Sequence, residues 1–149
     1  MRFLDIFAGI GGFRFGLEQG GHVCIGFVEV DKFARKTYEA IHDTTNEWTR
    51  HDIFKVTNEE WKELNGKVDI ICGGFPCQPF SLAGRREGFQ DIRGTLFFEL
   101  MRAAEQIQPR ILFFENVKGL LSHDKGKTFA TILSQMDELG YDVQWHVLN

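Results

Sequence analysis

A cysteine held between two prolines, in Pro76-Cys77-Gln78-Pro79, is the first feature of this sequence that reads as chemistry. Each proline ring fixes the backbone beside it, which suits a nucleophile that must be presented in one position. A structural cysteine is more often buried among apolar residues on a strand, and Cys24 and Cys72 are expected to be of that kind. Cys77 instead falls in a turn, and a thiolate presented there serves nucleophilic catalysis. The second candidate is Glu115, directly after the apolar run Ile111 to Phe114. A carboxylate at such a place is costly to desolvate unless it has a task or a partner. Burial would raise its pKa and let it donate a proton near neutral pH. The alternative is a strand-end acid facing water.

Two further segments point to a ligand rather than to bond-making. Phe7-Ala8-Gly9-Ile10-Gly11-Gly12 follows a short apolar run, and glycines there let backbone amides approach a ligand. A dinucleotide fingerprint would place a third glycine at position 14, which is Arg14. Alone, the loop is equally a tight strand-to-helix turn. Glu29 lies about 20 residues beyond the glycines, where an acid can accept hydrogen bonds from ribose hydroxyls. By itself it could also be a surface charge or a helix cap.

The elements that position these residues alternate between strand and helix. Arg2 to Phe7, His22 to Val30, Val68 to Cys72 and Ile111 to Phe114 read as strands. His42 to Arg50 reads as a polar loop, His51-Asp52-Ile53 as the end of a short strand, and Tyr141 to Leu148 as a last strand. Helices are expected over Gly12 to Gln19, from Asp31 as cap to about Ile41, and from Thr57 with Glu60 completing a capping box. Two more are expected over Thr95 to Gln106 and Thr128 to Leu139. Phe80 to Gly94 is the longest irregular stretch. The alternation predicts an α/β fold, Rossmann-like, with a mostly parallel sheet and helices on both faces. Asp5 to Gly12, Glu29, Asp52, Gly73 to Cys77 and Glu115 all follow a predicted strand, where such sheets bind ligands.

Composition sets the outer bounds. A chain of 149 residues, 43% hydrophobic and 26% charged, is expected to be one globular domain. Fifteen Phe residues supply large side chains for a core. A net charge of -4 argues against a general nucleic-acid-binding face, so any basic surface is local or supplied by another chain or domain. The three Cys have no metal-ligand spacing and suggest neither a zinc site nor a disulfide framework. Reduced thiols, the lack of a signal-peptide stretch and the lack of a membrane-length apolar run fit a cytoplasmic chain.

Taken together, Asp5-Ile6-Phe7-Ala8-Gly9-Ile10-Gly11-Gly12-Phe13, Gly73-Gly74-Phe75-Pro76-Cys77-Gln78-Pro79-Phe80-Ser81, Arg93-Gly94-Thr95-Leu96-Phe97 and Glu115-Asn116-Val117-Lys118 resemble the DNA cytosine-5 methyltransferase family. Order and spacing match over essentially the whole chain. The resemblance implies an S-adenosylmethionine-dependent methyltransferase of prokaryotic or phage-like context, with double-stranded DNA carrying a flipped cytosine as substrate and no metal. Phe7 to Gly12 would wrap S-adenosylmethionine, Glu29 would bind its ribose and Asp52-Ile53 its adenine. Val30, Gly74, Pro76 and Leu96 would line the same site. Cys77 would attack C6 of the cytosine, and Glu115 would hold or protonate N3. Gln78, Ser81, Arg85, Arg86, Arg93 and Asn116 would contact the nucleic acid, with Leu82 to Gly94 as a loop closing over the base.

Two departures stand out. Val30 occupies a position where many relatives carry an aromatic residue against the adenine. The chain also stops before the family's Gln-x-Arg-x-Arg segment, its target-recognition domain and its final helix. It is therefore expected to be incomplete and to need a complementary C-terminal chain or to self-associate. The alternatives that go with the resemblance are a tRNA substrate, or a truncated product that binds cofactor and catalyses nothing.

Overall fold

The apolar run Arg2–Ile6 forms β1, and every other strand is arranged around it. The structure, a computed structural model, describes residues 1–76 and 95–148. In chain order the elements are β1, α1 (Gly12–Gln19), β2 (Val23–Val28), α2 (Lys32–Ile41) and β3 (Trp48–Arg50). Then come a 3-10 turn at Ile53–Lys55, α3 (Asn58–Lys62), β4 (Ile70–Gly74), α4 (Leu96–Ile107), β5 (Ile111–Glu115) and α5 (Lys127–Glu138). Among the described residues the five strands form one sheet in the order β3-β2-β1-β4-β5, each pair parallel. The order reverses between β1 and β4, which makes the carboxyl edge there the place where such a sheet receives a ligand.

Side chains alternate across the sheet and divide the core in two. Leu4, Ile6, Val28 and Ile71 face α3, α4 and α5, and pack with Trp61, Leu100, Ile107 and Ile132. Phe3, Cys24, Ile70 and Cys72 face the other way, against Phe13 and Leu17 of α1. Phe27 on that side meets Tyr38 of α2. Helices therefore cover both faces, as the alternation of elements predicts. The helix starts are set by local chemistry. Asp31 accepts hydrogen bonds from the amides of Phe33 and Ala34 at 2.9 and 2.8 Å. Thr57 and Glu60 bond each other's backbone reciprocally, a capping box.

Two expectations fail. The short third strand is Trp48–Arg50, inside the stretch read as a polar loop, and His51-Asp52-Ile53 follows it. Its backbone pairs with Gly26 to Val28, and Trp48 packs its ring on Trp61 at 5.1 Å. The Asp52 carboxylate then accepts from the Phe54 amide and starts the 3-10 turn, which ends the extended backbone. Tyr141 to Leu148 forms no strand. Its alternating Val143, Trp145 and Val147 are exposed, and no ladder bonds receive its backbone. It is held instead by the Tyr141 hydroxyl on the Pro109 carbonyl at 2.7 Å and by Trp145 edge-on to Phe129 at 5.4 Å.

Candidate active site

The carboxyl ends of β1, β2 and β4 bring the glycine loop, Glu29 and Phe75-Pro76 to one edge. At the end of β1 the chain turns sharply, with Phe7, Gly9 and Gly11 all at positive φ (57°, 56° and 94°). Phe7 is a bulky residue in a region that costs energy to occupy. The turn is held by the Ala8 amide on the Val28 carbonyl at 3.1 Å and the Gly11 amide on the Ala8 carbonyl at 2.8 Å. Its two sides differ. A Cβ at Gly9 or Gly12 would meet nothing within 4 Å, so backbone is open to a ligand there. A Cβ at Gly11 would collide with the imidazole of His42, so that side is closed.

Glu29 is almost fully buried. One carboxylate oxygen accepts from the Gly9 amide and the other from the Asp31 amide, both at 2.7 Å. The acid thus locks the glycine turn to the start of α2, and each oxygen retains lone-pair capacity for a hydroxyl. These residues fit a group with vicinal hydroxyls lying over an open glycine backbone. Val30 and Ile10 stand exposed beside it, at 69% and 55%. Asp52 is half-buried after β3, Ile53 is a core residue, and Leu96 is half-buried at the start of α4.

The other half of the edge is made by β4 and β5. Gly74 lies opposite Glu115 in the register, and a Cβ on Gly74 would come within 2.9 Å of the Glu115 carboxylate. Glu115 is exposed. Of the two readings left open for it, the strand-end acid facing water is the one seen: among the described residues β5 lies at the sheet edge, and its residues alternate between exposed and half-buried. Asn116 is placed by its neighbours. Its amide nitrogen donates to the Phe75 carbonyl at 2.7 Å, and its side-chain oxygen accepts from the Val117 amide at 2.9 Å. It therefore grips the backbone that leads into Pro76. Phe75 is buried against Phe97 and Phe114, which anchors the same turn from below. Cys77, Gln78, Ser81, Arg85, Arg86 and Arg93 lie outside the described residues.

Beneath the edge runs a buried polar string that starts at Asp5, the first residue of the motif around the glycine turn. Asp5 is fully buried, and desolvation pushes its carboxyl up to about 7. It accepts from the Tyr38 hydroxyl at 3.3 Å and lies 3.8 Å from the Cys72 sulfur. Arg14, also buried, bonds Glu18 at 2.8 Å, Glu47 at 2.9 Å and the Asp43 carbonyl at 3.0 Å. Cys24 and Cys72 are both buried, and burial pushes each thiol up, Cys24 to about 12. Neither supplies a thiolate near neutral pH. The available signs of this string were Asp5 inside an apolar strand and the helical spacing of Arg14 and Glu18.

Among the described residues no group of three or more His, Cys, Asp or Glu is gathered as for a metal, and no helix is long and apolar enough to cross a membrane. Residues 1–149 match the family described as C-5 cytosine-specific DNA methylase. Among similar proteins, the Type II methyltransferase M.HhaI of Haemophilus parahaemolyticus is 42% identical over 149 residues, which is 100% of this chain and 43% of that protein. The Type II methyltransferase M.HpaII of Haemophilus parainfluenzae is 50% identical over 143 residues, 95% of this chain and 38% of that one. A mutant DNMT2 of Spodoptera frugiperda superposes with a TM-score of 0.65 at 26% identity, covering 90% of this chain and 40% of its own. The chain thus spans less than half the length of these relatives.

Proposed function

Since the chain belongs to the C-5 cytosine-specific DNA methylase family, we propose that it holds S-adenosylmethionine and the reactive cysteine of a DNA cytosine-5 methyltransferase. The observation that carries this reading is one shared edge. The open glycine turn tied to Glu29 and the Phe75-Pro76 backbone tied to Asn116 lie at the carboxyl ends of neighbouring strands.

In this reading Glu29 accepts the ribose hydroxyls, the Phe7 to Gly12 turn borders the rest of the cofactor, and Asp52-Ile53 lies at its adenine. Val30, Gly74, Pro76 and Leu96 complete the walls. When bound, the cofactor supplies an electrophilic methyl group. Cys77 follows Pro76 directly and attacks C6 of a cytosine turned out of the duplex, forming the S–C6 bond. Glu115 holds N3 and a proton there, which draws electrons from the ring and eases the attack. C5 would then bond the methyl carbon, the methyl–sulfur bond electrons passing to the departing sulfur of the cofactor, and C5 would lose its proton to a base. The S–C6 electrons return to sulfur and Cys77 leaves as thiolate. Asn116 acts through the Phe75 carbonyl to place this turn. Gln78, Ser81, Arg85, Arg86 and Arg93 meet the nucleic acid, and a complementary chain or domain supplies the remaining contacts.

Duplex DNA with fluorine at C5 of the target cytosine tests the chemistry, because it blocks the final proton loss. With a complementary chain supplied, a covalent adduct is expected to accumulate and Cys77→Ser to abolish it. Glu115→Gln should slow trapping while cofactor binding stays within about twofold, since its contact is with the base. Normal methyl transfer with serine at position 77 would overturn the mechanism.

A further inference from the structure

Tyr38 sits on α2 and belongs to none of the segments assigned to cofactor or base, yet it is fully buried beneath the glycine turn. Its ring stacks on Phe27 at 4.2 Å and clusters with Ala8 of the turn. A Cβ on Gly11 would lie 3.1 Å from the ring edge, tighter than ordinary contact, so the backbone of the turn packs closely on the tyrosine. The hydroxyl donates to Asp5 at 3.3 Å, accepts from Arg14 at 3.5 Å and lies 3.7 Å from the Cys24 sulfur. One side chain thus joins the end of β1, the turn after it, α1 and β2. For packing alone a phenylalanine would serve; a buried hydroxyl placed on a buried carboxyl is an additional specification.

Resting on the reading of that turn as a cofactor site, we propose that Tyr38 is a positioning residue of the site, its ring supporting the Ala8–Gly11 turn and its hydroxyl anchoring Asp5 beneath it. The groups facing Asp5 come from every element around it: Tyr38 from α2, Arg14 from α1, Cys72 from β4 and Glu29 from the end of β2. His42, also packed on Tyr38, lies under Gly11, and burial lowers its pKa. Tyr38 donation lowers the Asp5 pKa, against the larger rise from burial to about 7. Removing the hydroxyl must therefore move the Asp5 titration upward, and the turn must report it.

The test is a ligand-free amide titration of Gly9, Gly11 and Gly12 by nuclear magnetic resonance, paired with S-adenosylmethionine calorimetry on the whole chain. In the wild type these amides are expected to shift with a midpoint near the Asp5 value of about 7. Asp5→Asn should remove that step and leave the lower His42 step. Tyr38→Phe keeps the ring, and should raise the midpoint and weaken the cofactor about fivefold. Cys72→Ala removes the other donor to Asp5; it should raise the midpoint with little change in affinity. A folded Tyr38→Phe with midpoint and affinity unchanged overturns the proposal. So does a wild type whose glycine amides show no Asp5-dependent step, even if the variants fail to fold. A normal titration in a wild type that binds NAD and not S-adenosylmethionine would instead sink the cofactor reading and leave the support of the turn standing.

Discussion

Asp5 is a buried acid whose ionisation the fold opposes, and its effect on stability has a definite sign. Burial raises its pKa from 3.8 to about 7. Between these values the folded chain retains a proton that the unfolded chain has released, so this contribution is full at low pH and is lost as pH rises through about 7. Urea unfolding from about pH 5 to 8 should show Asp5→Asn gaining on the wild type as pH rises, by up to a few kcal/mol. The difference between the two proteins isolates Asp5 from His42, whose lowered pKa tilts stability the other way. Equal pH slopes in both proteins would mean that Asp5 is not the buried acid described. Glu29 was legible in the sequence because a strand end followed by a capped helix is a local pattern. The pairing of Asp5 with Tyr38 and Arg14 was not, because it joins three elements, β1, α2 and α1, and no spacing along the chain announces it.

At the scale of elements, the boundaries that held were those written in cap and turn chemistry. α1 runs from Gly12 to Gln19 because glycines bracket it, and α2 starts where Asp31 takes two amides. β3 was misplaced because Trp48-Thr49-Arg50 lies in a polar stretch and becomes a strand only by pairing with β2. Tyr141 to Leu148 failed for the complementary reason. Alternation states which residues suit a strand, but not that a neighbour is there to pair with. The join at Glu29 and Asp31 gives a prediction at this scale. Asp31→Ala removes the cap and should cost about 1 kcal/mol. Alanine keeps the residue 31 amide that bonds Glu29, but without the cap that backbone is held less firmly, so cofactor affinity should fall as well. Thr57→Ala, a cap loss of similar size at α3, should leave affinity unchanged. Equal effects of the two on affinity would break the link between cap and site.

At the scale of the whole molecule, several large apolar side chains of β5 and of the segment after α5 remain exposed. Ile111 and Phe113 of β5 are exposed, Phe113 with its ring edge-on to Phe13 of α1 at 5.2 Å, and Val143, Trp145 and Leu148 are exposed beyond α5. Exposed apolar side chains of this size favour association where they cluster. Sedimentation velocity on the isolated chain is expected to show self-association that grows with concentration. Phe113→Ser should weaken it without altering the cofactor edge. A monomer at every concentration would count against an interface through these side chains.

The strand order has a consequence for how the chain is made. β1, β2 and β3 are adjacent in the sheet and all lie within the first 50 residues, whereas β4 and β5 join on the far side of β1. As the polypeptide leaves the ribosome, the half bearing the glycine turn and Glu29 can therefore zip up while the half bearing Phe75, Glu115 and Asn116 is still being synthesised. Until β4 arrives, the other edge of β1 stands unpaired with Leu4 and Ile6 uncovered. That interval, rather than the finished fold, is when a nascent chain most needs a chaperone.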